Sequence, residues 1–451
     1  MTRRNGSSVT PDLFCEKQRD IECVERCRAR RIIHCAVKAD LLIMMDTSAT
    51  KIVYITTIRA SLGFYTTQAQ YLQKRGFAVY GLSSPGKLLE ASTVWEQLPA
   101  YAVEMPRRIT PLRDCVAILQ LARLIRHIHP QIVYASTPKA GVLGMIAAWL
   151  AGTPIRIYGV LGLPFMTATG YRQFLLTWSE KVACKLAQQV FSVSQSVREI
   201  IVTNGICPVE KVKILGNGSV NGVDAAGRFN PGQLTLNRNR AREIFHIPAE
   251  ASVVGFIGRR VRDKGIIELA AAWEQIREAY PDAYLLVAGP PELQDPVPAA
   301  TERFLQHDPR VRVTGFVEDI LLAYATMDIF VLPTYREGFP VSLLEAAALE
   351  LPAVATRVPG CVDAIVDGIT GTLVPAFDDG ALAAAIGRYL DQPELRIQHG
   401  RAARERAMRE FRPEPIVESA YLEFVRLLKE KHLHIPSETS IGQTEFYESS
   451  S

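Results

Sequence analysis

Two glutamates eight positions apart, Glu337 and Glu345, are the residues of this chain best placed to do chemistry. They lie in Arg336-Glu337-Gly338-Phe339-Pro340-Val341-Ser342-Leu343-Leu344-Glu345. This places Glu337 on a Gly-containing turn, Pro340 where a helix can begin, and Glu345 inside that helix. Proline is favoured at the first helical position because its fixed φ suits the turn and its missing N–H would have no partner there. The free N–H groups and the dipole of such a start attract a phosphate or another anion. Two carboxylates flanking an anion seat suit a ligand with hydroxyls on both sides of a phosphate, as in a nucleotide-sugar. Taken alone, a surface helix with two solvated glutamates would explain the pattern better.

The preceding run, Asp328-Ile329-Phe330-Val331-Leu332-Pro333, changes that balance. It reads as a buried parallel strand. Such a strand delivers the Glu337 turn to its carboxyl end, where open α/β sheets bind ligands. A second loop, Gly258-Arg259-Arg260-Val261-Arg262-Asp263-Lys264-Gly265, follows a similar run over residues 253–257. Arg259 offers a planar fork and Lys264 a compact point charge, and both suit a diphosphate. Alone, a basic loop of this kind is usually just solvated. Gly315-Phe316-Val317 follows a third run at 311–313. An ordinary buried Phe after a strand explains it nearly as well as a ligand contact.

The Glu-x7-Glu spacing and the G-R-x4-K-G loop resemble the signature of the retaining family 4 glycosyltransferases, in a match running from Gly255 to Pro375. That resemblance implies the GT-B architecture: two doubly wound, Rossmann-like α/β domains facing a central cleft. It also assigns roles. Arg259 and Lys264 would stabilise the departing nucleoside diphosphate, where charge accumulates in the transition state. The backbone at Phe316 and Val317 would read the nucleobase edge, and Glu345 would hold the ribose diol. Glu337 would hold sugar hydroxyls and support positive charge on the sugar without attacking it. The amides of Gly338 and Phe339, ahead of Pro340, would lie near sugar and phosphate. Gly63, in the loop after the first strand, would let the backbone approach the diphosphate.

Ser136-Thr137-Pro138-Lys139-Ala140-Gly141 and Thr167-Ala168-Thr169-Gly170 resemble the subgroup that builds bacterial capsule, exopolysaccharide and O-antigen units on lipid carriers. The resemblance implies a UDP-sugar donor, a polyprenyl-diphosphate-linked acceptor and a cytoplasmic location at the inner face of the cell membrane. Many relatives carry His where this chain has Ser136, and Tyr134 supplies none, so no first-domain His is assigned. A transferase with a small soluble acceptor and a non-catalytic sugar-nucleotide sensor are the other readings. A GT-B-shaped epimerase is disfavoured because those enzymes lack this Glu-x7-Glu arrangement.

Arg107-Arg108-Ile109-Thr110-Pro111-Leu112-Arg113, continued by Leu119, Leu121, Arg123, Leu124, Ile125 and Arg126, predicts a basic amphipathic helix. Such a helix can face an anionic membrane or a lipid diphosphate. A plain surface helix packed on the sheet fits the run equally well. Arg107, Arg108, Arg113 and Lys139 are the candidate acceptor or membrane residues. Asp-x-Asp occurs nowhere, so the carboxylate pair that commonly holds a divalent metal on a nucleotide-sugar is missing. Cationic side chains and a helix start would do the metal's work. The expectation is therefore no metal and no cofactor.

The elements that must position these residues set the rest. A chain of 451 residues exceeds what one core usually holds, which predicts two domains. A formal charge of +4 is small for this length and argues against a general nucleic-acid binder. No apolar run reaches the roughly 18 residues of a membrane span. Of eight cysteines, Cys15, Cys23, Cys27 and Cys35 lie near the start with His34, but without the Cys-x2-Cys pair of common zinc modules. Cys115, Cys184, Cys207 and Cys361 read as reduced core thiols. Residues 1–43 show no period, and Asp46-Thr47-Ser48-Ala49-Thr50-Lys51 leads into a strand. They are expected to be a disordered or untranslated extension, with the start at Met44 or Met45.

Alternating runs predict strands at 51–57, 78–82, 131–135, 155–158, 190–193 and 213–215, then at 253–257, 284–288, 311–313, 329–332 and 353–356. The domains follow as 44–228 for the acceptor and 229–414 for the nucleotide-sugar, with Gly216–Asp224 material as the hinge. A helix within 415–432 should cross back to the first domain, and 433–451 should be a disordered tail.

Overall fold

The computed structural model describes residues 49–86, 95, 98–292 and 295–436. The expectations for residues 1–43, with their cysteines and His34, and for 437–451 lie outside the described residues.

Two all-parallel sheets organise the chain. The first comprises β1 (Lys51–Ile58), β2 (Ala78–Ser84), β3 (Ala100–Ala102), β4 (Ile132–Ser136), β5 (Ile155–Val160), β6 (Gln189–Ser192) and β7 (Val212–Ile214). Their spatial order is β3-β2-β1-β4-β5-β6-β7. The second comprises β8 (Ser252–Ile257), β9 (Ala283–Ala288), β10 (Val311–Gly315), β11 (Ile329–Leu332), β12 (Ala353–Thr356) and β13 (Gly371–Val374). These run in the order β10-β9-β8-β11-β12-β13. Each order reverses once, between β1 and β4 and between β8 and β11. At such a point the flanking crossovers leave in opposite directions and open a crevice beyond the strand ends.

Helices cover both faces of each sheet, which is why β4, β6, β11 and β12 are buried at every position. Over one face of the first sheet lie the helices Pro111–Ile128, Pro138–Leu150 and Gly170–Leu186, anchored by Leu121, Ile125, Met145 and Ala183. Two of these begin with proline at a first-turn position. The opposite face carries the helix Thr66–Lys74 and the last helix, Pro413–Glu430. Phe424 of that last helix is fully buried, with its ring edge-on to Tyr134 at 6.3 Å. The chain therefore returns to its first lobe after completing the second. Between the lobes, the turn around Gly222 is tied to the later chain by the amide of Val223, which donates to the Phe411 carbonyl at 2.8 Å.

Strands β3 and β13 depart from the sequence expectation. Ala-Tyr-Ala and Gly-Thr-Leu-Val are edge strands of three and four residues, too short to show a period. Cys184, Cys207 and Cys361 are buried as expected, whereas Cys115 is exposed on the outer side of its helix.

Candidate active site

The loops that follow β8 and β11 meet at the reversal of the second sheet. Gly265 makes their meeting possible. It lies at φ +68°, and a Cβ there would overlap the Pro333 carbonyl. The two loops are laced by Thr334, whose hydroxyl donates to the Asp263 carbonyl at 2.9 Å, and by the Tyr335 amide on the same oxygen at 2.8 Å. This approach sets the ammonium of Lys264 directly on the carboxylate of Glu337. Both side chains are largely buried. Cys361 lies beneath them, and burial together with the Glu337 charge pushes its thiol well above the usual range.

Arg259 stands beside this pair and is bound to Glu292. Burial lowers its pKa, and the neighbouring charges of Arg107 and Arg336 act in the same direction. Glu345 projects from the helix Val341–Ala348 and accepts the Tyr324 hydroxyl at 2.8 Å. Burial raises the Tyr324 pKa, and Glu345 adds to it, so the phenol stays a donor. Pro340 is the residue before the helix, with ψ 106°, rather than its first turn member. Its extended backbone ends the loop, and the helical N–H groups start one residue later. Phe339 is turned away from the loops into the core, edge-on to Phe411 at 5.2 Å, so only its backbone is available here. Phe316 is 56 % exposed, contrary to the buried reading, while Val317 packs partly into the second core.

The first lobe closes over this cluster. A Cβ on Gly338 would overlap the Leu161 carbonyl, so the loop after β5 touches the loop after β11 backbone to backbone. Thr167 of the same first-lobe loop receives a hydrogen bond from the Arg336 guanidinium at 3.0 Å, and Arg336 also pairs with Asp263 at 2.7 Å. Arg107 reaches across to the far oxygen of Glu292, so one carboxylate sits between Arg107 and Arg259. Gly63 lies in the short 3-10 turn Arg59–Tyr65 after β1, where a Cβ would meet open space. The remaining first-lobe candidates do not join them. Lys139 is turned inward onto Asp114 at 2.7 Å and onto the Arg108 carbonyl. The Asp114 carboxylate on the adjacent helix captures it, so its charge is not presented outward. Arg113 is exposed and pairs loosely with Glu104 at 3.7 Å.

Residues 251–392 match the family model described as glycosyl transferases group 1, and residues 65–218 match that of the glycosyl transferase 4-like domain. The capsular polysaccharide biosynthesis glycosyltransferase CapM of Staphylococcus aureus is 34 % identical over 380 residues, covering 83 % of this chain and 98 % of CapM. This chain is a family 4 glycosyltransferase. A second relative, the Escherichia coli UDP-Gal:alpha-D-GlcNAc-diphosphoundecaprenol alpha-1,3-galactosyltransferase, is 26 % identical over 64 % of this chain and 74 % of its own length. The GT-B fold is shared with Anabaena HepE, solved with UDP-glucose, at a TM-score of 0.68 and 20 % identity over 83 % of this chain and 99 % of HepE.

In the transferase, Glu292 and Asp363 went unnoticed in the sequence, whereas Thr167, Arg336 and Thr137 were read only as parts of motifs. Glu292 and Thr167 meet their partners only through the closure of two lobes. Asp363 accepts the amides of Gln195 and Ser196 at 3.0 and 3.1 Å, capping a first-lobe helix from the second lobe. Arg336 had a usable signal, since it directly precedes Glu337. Thr137 departs from its place before Pro138, which favours an extended backbone with negative φ. It lies at φ 69°, ψ 147°, held by the Thr57 amide at 3.1 Å. Such a conformation costs a non-glycine residue about 1–3 kcal/mol and tends to occur at functional edges.

Proposed function

We propose that this glycosyltransferase is a retaining enzyme that moves a sugar from a UDP-sugar to a polyprenyl-diphosphate-linked saccharide in cell-surface polysaccharide assembly. The carrying observation is the cluster of Lys264, Arg259 and Glu337 at the reversal of the second sheet, with the first lobe pressed against Gly338. Two cations beside a carboxylate suit a diphosphate that adjoins a sugar. The two relatives, one named as a capsule glycosyltransferase and one as acting on a diphosphoundecaprenol-linked sugar, support the acceptor class.

On this reading the acceptor hydroxyl attacks the anomeric carbon from the face the nucleotide leaves. The bond from that carbon to the diphosphate oxygen breaks, and the proton passes from the acceptor hydroxyl to the departing phosphate. Lys264 and Arg259 hold the charge that develops on the diphosphate, in a site partly shielded from water. Glu337 holds the sugar hydroxyls and favours positive charge on the ring, and Glu345 takes the ribose diol beside Tyr324. No metal is required, because the cations supply that stabilisation. EDTA should therefore leave turnover unchanged, and loss of turnover restored by Mg²⁺ or Mn²⁺ would refute this part.

The deciding experiment is nucleotide release from UDP-, GDP- and ADP-sugars with and without a membrane-lipid extract. Release of UDP that rises with the extract is expected. Binding of a sugar nucleotide with no turnover under either condition would make the protein a sensor. Turnover confined to a water-soluble acceptor would replace the lipid-linked one.

A further inference from the structure

Glu292 stands on the second lobe in a loop built to hold it still. The loop follows β9, the strand beside β8, and runs Gly289-Pro290-Pro291-Glu292. Each proline fixes its own φ, so the two residues ahead of Glu292 have little freedom. Gly289 lies at φ +141°, where a Cβ would overlap the Gly258 carbonyl, so this loop presses against the one that carries Arg259. The Arg260 amide donates to the Pro290 carbonyl at 2.9 Å, and the Arg260 guanidinium donates to the Gly289 carbonyl at 2.6 Å. Two loops fastened to each other therefore deliver Glu292 and Arg259 to one point. An ordinary surface ion pair contributes little and needs no such scaffold.

What the carboxylate does there follows from its neighbours. Its two oxygens are divided, one on Arg107 of the first lobe and the other on Arg259 of the second. The Glu292 side chain is 16 % exposed, against 38 % for Arg107 and 50 % for Arg259. After burial, the charges of Arg107 and Arg336 weigh most against the Arg259 cation. Arg336 has its own partner in Asp263, whereas Arg107 and Arg259 share Glu292. Without an anion between them, two like charges would face each other across the cleft, which costs free energy. A phosphate group offers two guanidiniums the same kind of charge-assisted contact as a carboxylate, with more charge.

We propose that Glu292 holds the place of a diphosphate in the empty cleft, and that an incoming nucleoside diphosphate takes Arg259 from it while Glu292 stays on Arg107. The inference rests on the diphosphate role proposed for Arg259 and adds the group that competes for it. No covalent bond is made or broken; one charge-assisted contact is exchanged for another. The diphosphate wins the exchange because it engages Lys264 at the same time, which the Glu292 carboxylate does not. Glu292 also favours departure of the product, since it retakes Arg259 as the nucleotide leaves. Arg107 is then the resting partner of Glu292 and not a ligand of the donor. Its contact also keeps the first lobe tied to the second while the donor is bound.

The test is calorimetric titration of the full chain with UDP and with inorganic pyrophosphate. Glu292→Gln keeps the shape of the side chain and removes its charge. It should bind both ligands about tenfold more tightly than wild type, the scale of one charge-assisted contact no longer given up, and release UDP more slowly in stopped flow. A merely structural tie would give the opposite sign, since its loss loosens the site. Glu292→Asp, whose shorter arm cannot span both arginines, should fall between the two and supplies a second reading if the Gln variant folds poorly. Arg107→Gln should weaken UDP several-fold, because Glu292 then holds Arg259 alone, and should do little in the Glu292→Gln background. Arg259→Gln/Glu292→Gln should bind no more tightly than Arg259→Gln. Unchanged or weaker binding by Glu292→Gln would overturn the proposal. So would a gain that persists without Arg259, or an equal Arg107→Gln penalty in both backgrounds. Pyrophosphate carries neither base nor sugar, so it judges the exchange apart from the reaction. Tighter pyrophosphate binding without turnover of any sugar nucleotide would keep the exchange and reject the UDP-sugar transfer; turnover with unaltered pyrophosphate binding would do the reverse.

Discussion

At the residue scale, the Lys264–Glu337 pair is the contact that the proposed donor would have to share. The two groups face each other as an ion pair, and on the proposed reading a donor would offer a phosphate to one and hydroxyls to the other. Removing either leaves a partly buried charge uncompensated. Lys264→Ala should lower kcat by about 100-fold or more if it acts as a lost electrostatic donor, with Lys264→Arg recovering part of it. Equal kcat in wild type and Lys264→Ala, measured at saturating donor, would remove the leaving-group role. A second buried carboxylate makes a separate prediction. Glu180 accepts the Tyr158 hydroxyl at 2.6 Å, and burial pushes its pKa up to about 7 from an ordinary 4.5. A carboxyl whose folded pKa lies above its unfolded value stabilises the fold least when ionised. Stability should thus fall as pH rises from about 4.5 to about 7, by up to about 3 kcal/mol, and then level off. Glu180→Gln should melt higher than wild type near pH 8 and match it near pH 5, and parallel pH profiles would sink this account.

At the element scale, the loops after β8 and β11 carry the proposed site, and they were the most legible in the sequence. Long apolar strands betray themselves, and the residues just after them inherit a location at the sheet edge. Hence Glu337, Lys264 and Arg259 could be placed together before any coordinates. What stayed hidden depends on close approach. Nothing in the sequence marks Arg107 and Glu292, 185 residues apart, as partners. Nor could it show that Lys139 faces Asp114, because both look like surface charges on amphipathic helices. The edge strands β3 and β13 are too short for any pattern to register. Gly338 is the most testable of these hidden constraints. Gly338→Ala would drive a methyl group into the Leu161 carbonyl and force the two loops apart. Activity should drop by about 100-fold or more, as misplacement of reacting groups by an ångström can cause. Donor binding to the second lobe alone should be less affected, and a wild-type kcat would show that this contact does not set the active geometry.

At the scale of the whole molecule, the lobes are joined by the turn around Gly222, by the returning helix Pro413–Glu430, and by side chains that cross the cleft. The most telling crossing is Asp363, which caps the helix Gln195–Thr203 while Ser196 accepts the Gly360 amide at 2.9 Å. A cap of this kind contributes about 0.5–2 kcal/mol and satisfies N–H groups that the helix cannot satisfy itself. Here the helix's own N-cap, Ser194, accepts the Val197 amide at 3.3 Å, and the other lobe satisfies the two amides before it. Any widening of the cleft at this edge therefore frees the amides of Gln195 and Ser196 to solvent. Their hydrogen-exchange rates become an internal clock for opening, readable in the unlabelled protein, and a saturating nucleotide-sugar should slow that clock without touching either residue.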